Sequence, residues 1–174
     1  MQNTPHLNTK TLVIASLLAA LCCVATMVIR IPSPTSGYMN LGDTVVILSA
    51  YLLGPAWGSA ASGLGSALAD LFSGYTAYVP GTLVIKALMA ACAAWIYLLM
   101  KKRAAALPVA AVAAEAIMVA GYWLYDALLA GSLIGAAAGI PSNLVQSALG
   151  IAASTVLALA LRRSDAVLRE FPHL

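Results

Sequence analysis

Charge is scarce in this chain: nine lysines and arginines and six acidic residues, 9% of 174 residues, where soluble domains carry about 25%. Between Thr11 and Leu161 only nine residues are charged, and three of those, Lys101, Lys102 and Arg103, sit together. Histidine occurs only at His6 and His173, both in the tails, which excludes a Ser-His dyad or a histidine-ligated metal in the body of the chain. No GxxxxGK[ST] sequence is present, so nothing here could hydrolyse ATP by a P-loop. Of the three cysteines, Cys22 and Cys23 share one apolar run and Cys92 lies in another, a pattern of small packing residues and not of a disulfide or zinc framework. With no polar stretch long enough for a soluble domain, the net charge of +3 implies no nucleic-acid partner.

What is present is apolar. The chain is 62% hydrophobic with a mean hydropathy of +0.93, and a bilayer core of about 30 Å takes roughly 20 such residues per helical crossing. The fold expected is all-α, a polytopic membrane protein forming a single membrane domain over residues 1–174. Cutting the sequence at charges, prolines and glycines, where backbone breaks can reach water, leaves six segments: 11–29, 39–53, 56–74, 80–100, 107–129 and 141–161. The short second segment makes five spans plus a re-entrant piece the competing count. The first ten residues are polar and the run after them lacks an Ala-x-Ala processing site, so the first helix is expected to be retained.

Six crossings put Lys10, the Lys101–Arg103 cluster, and Arg162, Arg163 and Arg169 on one side. Positive charge in short loops marks the cytoplasmic side, so both termini are expected in the cytoplasm. The opposite loops hold only Arg30.

Inside the bilayer an ionisable side chain costs several kcal/mol unless it is paired or faces a cavity. Asp43, Asp70, Lys86, Glu115 and Asp126 are the candidates. At about 1.5 Å per residue, Asp43, Asp70 and Lys86 converge about 6 to 9 Å below the outer surface, and Asp126 lies in the outer turn of its helix. Glu115 falls in the inner half and stands apart. Glu115, Tyr122 and Asp126 share a helix face, with Tyr125 one turn from Tyr122, and Asn143 and Gln146 are one turn apart at the start of the last segment. Rings, carboxamides and a few charges at one level suit a polar heterocycle. Small residues repeat every four positions at Gly58, Ser62, Ser66, Asp70 and Gly74, and again at Gln146, Gly150, Ser154 and Ala158, making smooth faces for close helix packing.

One combination of residues is more telling. An AxxxA pattern at Ala15 and Ala19 and a Pro-rich loop come first. They are followed by Asn40-Leu41-Gly42-Asp43, Leu53-Gly54-Pro55, Gly58, Gly65-Ser66-Ala67-Leu68-Ala69-Asp70, Gly74-Tyr75, Pro80, Ile85-Lys86 and Pro141-Ser142-Asn143-Leu144-Val145-Gln146. Over about residues 10–163 this order resembles the substrate-binding S components of energy-coupling factor (ECF) vitamin transporters. The pyridoxine or hydroxymethylpyrimidine branch is the nearest likeness, and the riboflavin branch somewhat less so.

The resemblance implies a six-helix protein in a prokaryotic cell membrane. It would capture a vitamin from outside under a lid formed by the first loop, then dock on a membrane coupling subunit driven by two ATPases. It implies binding roles for Asp43, Asp70, Lys86, Asn143 and Gln146 and a docking role for Ala15 and Ala19, while Asn40, Tyr122 and Tyr125 complete the expected pocket. No cofactor or metal is expected. An aspartyl dyad of Asp43 and Asp70 is disfavoured by Lys86 at the same depth. A proton-coupled secondary transporter relaying through Asp70, Glu115 and Asp126 is the rival class, against which stands the absence of an inverted repeat.

Overall fold

The computed structural model describes residues 9–35 and 37–174; His6 lies outside the described residues. Helix α1 (Thr9–Val28) leads into a two-stranded antiparallel ladder, β1 (Ile31–Pro32) and β2 (Tyr38–Met39). Then come α2 (Gly42–Phe72), a 3-10 turn at Thr76–Tyr78, α3 (Val79–Leu99), α4 (Ala106–Ala130), the short α5 (Leu133–Ala136) with a 3-10 turn at Ala137–Gly139, α6 (Ile140–Leu161) and a tail helix α7 (Asp165–Glu170). Five helical stretches among the described residues are long and apolar enough to cross a membrane. Leucine, valine and isoleucine side chains cover their outer surfaces, Leu17, Val28 and Leu128 among them, as lipid contact requires.

The expected second and third segments, 39–53 and 56–74, are a single helical stretch of 31 residues, broken at Gly54. There φ is 74° and ψ is −174°, a conformation open essentially to glycine alone, and Pro55 follows without an amide hydrogen to give. The chain reverses at this point. Ser62 Oγ donates to the Val46 carbonyl at 3.2 Å, and a Cβ on Gly58 would lie 2.8 Å from the Ser49 carbonyl oxygen. Residues 42–53 and 55–72 thus run antiparallel in backbone contact, which is what the four-residue stripe of small side chains permits. Gly58, Ser62, Ser66 and Asp70 are all buried on that seam, and Gln146, Gly150, Ser154 and Ala158 form the buried face of α6.

The Gly54 reversal shares its end of the bundle with the cationic loops. Tyr51 Oη donates to the Leu107 carbonyl at 2.7 Å, Tyr97 Oη and Lys102 Nζ donate to the carbonyls of Leu174 and Pro172, and Lys10 pairs with Glu170. The His173 ring covers Gly54; burial and repulsion from Lys102 push its imidazole below the usual value, favouring the neutral ring. Gly54→Ala is expected to cost about 1–3 kcal/mol of backbone strain, with a Cβ 3.0 Å from His173 as well. A drop in the unfolding midpoint of the purified protein checks it; an unchanged midpoint would mean the reversal tolerates a side chain.

At the opposite end, the β1–β2 loop and the loops around Thr76–Tyr78 and Leu133–Gly139 fold over the tops of the helices. Here the polar residues gather.

Candidate binding site

Four long helices and the β1–β2 loop contribute to one small cavity. It is lined by Ser33, Thr35, Gly37, Tyr38 and Asn40 from the loop, Asp70 from α2, Tyr78 and Thr82 around the start of α3, Tyr122 and Asp126 from α4, and Asn143 and Gln146 from α6. The cavity is about 30 Å³, room for a few water molecules and far below the roughly 300 Å³ or more of a small-molecule pocket. Directly beside it is a second cavity of about 530 Å³, bounded by Leu129, Ala130 and Ala136; Thr35, Tyr78 and Asp126 line both.

The loop is tied down from three sides. Tyr38 Oη donates to Asp70 Oδ1 at 2.7 Å, the Ser33 and Ser142 hydroxyls meet at 2.8 Å, and the Asn40 amide N–H donates to Gln146 Oε1 at 2.7 Å. Burial and the Asp70 carboxylate push the Tyr38 hydroxyl well above the ordinary tyrosine value, so Tyr38 remains a donor at any physiological pH. The Asn40 side chain closes an Asx-type turn just ahead of α2, its Oδ1 accepting the Gly42 amide at 2.8 Å.

Beneath the cavity floor lies a buried polar layer. Lys86 Nζ donates to Asp43 Oδ1, and both are essentially inaccessible. Gln146 Nε2 donates to Asp43 Oδ2 at 2.5 Å. The ammonium also sits 5.2 Å from the centre of the Tyr122 ring, a cation–π distance, and Tyr122 Oη meets Thr82 Oγ1 at 3.0 Å. One bonded chain therefore links the Asp43–Lys86 pair to the loop through Gln146 and Asn40.

The expected residues are thus sorted by the structure. Asn40, Asp70, Tyr122, Asn143 and Gln146 line the cavity; Asp43 and Lys86 support it from below. Tyr125 does neither: its hydroxyl donates to the Ala77 carbonyl at 2.8 Å and its ring packs against Gly81 and, at 6.0 Å, behind Tyr78. Tyr38, Tyr78 and Thr82 escaped sequence reading, yet Tyr78, Thr82 and Lys86 are spaced four apart and so share one helix face. Asp126, visible as an intramembrane carboxylate, lines the cavity and accepts the Tyr78 hydroxyl at 2.7 Å.

Two further placements change the expectations. Glu115 does not stand apart: a Cβ on Gly150 would meet both Glu115 Oε1 and Asp43 Cβ, which puts the glutamate just across Gly150 from the buried pair. Both of its carboxylate oxygens lack a hydrogen-bond partner among the described residues. On α1, Ala15 is buried, and the Ala19 backbone lies against Gly65 so closely that a Cβ there would collide with its carbonyl oxygen. The exposed small pair on that helix is Ser16 and Ala20.

The fold and site define a helical membrane protein with a small polar cavity beneath its first loop. The model of the ECF-type riboflavin transporter S component family matches residues 6–163, and the chain belongs to that family. With five helical stretches long and apolar enough to cross a bilayer among the described residues, it is a multi-pass membrane protein. Its fold is similar to a solved S component of a bacterial ECF transporter, with a TM-score of 0.65 at 24% identity over 89% of this chain and 95% of that one. An uncharacterized protein of Pyrococcus woesei is 48% identical over 73 residues, 41% of this chain; the match spans about half, 49%, of that relative.

Proposed function

We propose that this chain captures a small heterocyclic vitamin or precursor, of the riboflavin, pyridoxine or hydroxymethylpyrimidine type, from outside a prokaryotic cell. It does so in six crossings, with the cavity facing outward and both termini in the cytoplasm. The observation that carries the reading is the joining of the loop to α2 and α6 over a cavity lined by carboxylates, carboxamides and phenolic hydroxyls. Asn40, Asp70, Tyr122, Asn143 and Gln146 would bind, together with Tyr38, Tyr78, Thr82 and Asp126. Asp43 and Lys86 hold the floor. A cavity of about 30 Å³ is too small for a ring, so a wall must move; Thr35, Tyr78 and Asp126, shared with the larger neighbouring cavity, form the partition that would yield.

Transport energy would come from partner subunits: a membrane coupling protein and two ATPases. Because Ala15 is buried and the Ala19 backbone packs against Gly65, docking is assigned to the exposed side of α1 around Ser16 and Ala20. Purified protein should retain a vitamin that mass spectrometry identifies, and vesicle uptake should need ATP and the partner subunits. Asn143, whose carboxamide makes no hydrogen bond among the described residues while lining the cavity, would supply ligand contacts: Asn143→Ala should weaken binding by about 1–3 kcal/mol. Calorimetry reads this, and an unchanged affinity removes Asn143 from the site.

The unpartnered Glu115 favours one second reading, a proton-coupled secondary transporter. Uptake by the lone protein driven by a proton gradient would select it.

A further inference from the structure

The cavity is one-sided in its charge. Asp70 and Asp126 are 4% and 5% exposed and line it, and each spends one oxygen on a tyrosine hydroxyl at 2.7 Å. A carboxylate has about four acceptor positions, so even with the Thr82 hydroxyl also bonding to Asp70 both carboxylates keep acceptor capacity open. Among the described residues, no lysine, arginine or histidine lines the space. The buried cation nearest to it, Lys86, is spent on Asp43, and Arg30 is exposed to solvent at the loop, near Tyr38. Tyr38 and Tyr78 already spend their single hydroxyl hydrogens on hydrogen bonds to these carboxylates, and the Tyr122 hydroxyl is paired with Thr82. With room for only a few waters, the cavity screens these charges less than bulk solvent would.

We infer that Asp70 and Asp126 form a charge filter. The ligand completing this site is a neutral or cationic heterocycle bringing N–H and O–H donors toward two carboxylates, and its phosphate esters are refused. This deepens the vitamin-capture reading and rests on it. The physical reason is like-charge juxtaposition: a phosphate carries about two negative charges and only acceptor oxygens, and the pocket offers it carboxylates in place of the guanidinium or backbone N–H cradle that phosphate sites use. A donor-bearing ring instead satisfies acceptors already present, and positive charge on it strengthens those bonds.

The test uses the full chain in lipid nanodiscs and three ligand pairs: riboflavin, pyridoxine and hydroxymethylpyrimidine, each against its own monophosphate ester. The pair whose parent compound binds should show a preference of about 100-fold or more for the parent, as a like-charge contact of several kcal/mol requires. The preference should shrink in Asp126→Asn and in Asp70→Asn, each of which removes one charge while keeping the shape. Equal or tighter binding of the ester would overturn the filter while leaving vitamin capture standing, as would a preference that neither variant alters. Binding of none of the six compounds would overturn the capture reading and the filter together. Thermal melting of each variant separates a lost filter from a lost fold.

Discussion

Lys86→Met is expected to lower the stability of the protein by about 3–5 kcal/mol, because it leaves the Asp43 carboxylate buried without its cation. Lys86 and Asp43 are 2% and 1% exposed; the pair lies within the helical bundle, where no solvent can take over the ammonium's part. The loss should reach ligand affinity too. Asp43 anchors Gln146, Gln146 accepts from the Asn40 backbone, and the ammonium sits under Tyr122, so an unpaired Asp43 disturbs three cavity residues. The double variant Asp43→Asn, Lys86→Met should recover most of the stability, because it removes both charges and keeps an acceptor for Gln146. Melting curves of the single and double variants decide the matter. If the single variant melts as the wild type does, the pair is not what holds this layer.

Ala20→Trp should reduce ATP-driven uptake in vesicles containing the partner subunits to the level seen without ATP, while the ligand dissociation constant of the isolated protein stays where it was. Ala20 is exposed on α1 beside Ser16, and close backbone approach between membrane helices depends on small residues at the contact. Ala15→Trp should behave differently. Ala15 is 6% exposed and part of the core, so overpacking costs about 1–3 kcal/mol of stability before docking is reached. Pull-down of the coupling subunit together with ligand titration distinguishes the two. Retained transport in Ala20→Trp would move the docking face off this side of α1.

Much of the candidate site was legible in the chain. Asp43, Asp70, Lys86, Asn143 and Gln146 stood out because a polar group in hydrocarbon is costly enough to demand a reason, and the structure brings all five to one region. Tyr38 and Tyr78 did not stand out, since tyrosines near the ends of spans are ordinary interfacial residues; only their hydrogen bonds to Asp70 and Asp126 mark them. Tyr125 carried the same sequence signal as Tyr122 and landed behind the cavity wall. The twist of one helix over three residues separates them, and no local pattern says which neighbour faces which ring.

The composition alone determined that this is a helical membrane protein, because partition into hydrocarbon depends on summed apolar content and on backbone groups that only a helix satisfies within itself. Counting residues from the expected helix ends also put Asp43, Asp70 and Lys86 at one level, but it set Glu115 apart from them, and the structure does not. The choice of partners was decided by the tertiary structure. Lys86 pairs with Asp43 and not with Asp70, Glu115 lies across Gly150 from that pair, and Ala15 turns inward while Ala20 turns out. Each of these is a matter of rotation about a helix axis and of contact between residues distant in the chain, settled only when the close-packed interior admits one arrangement of side chains.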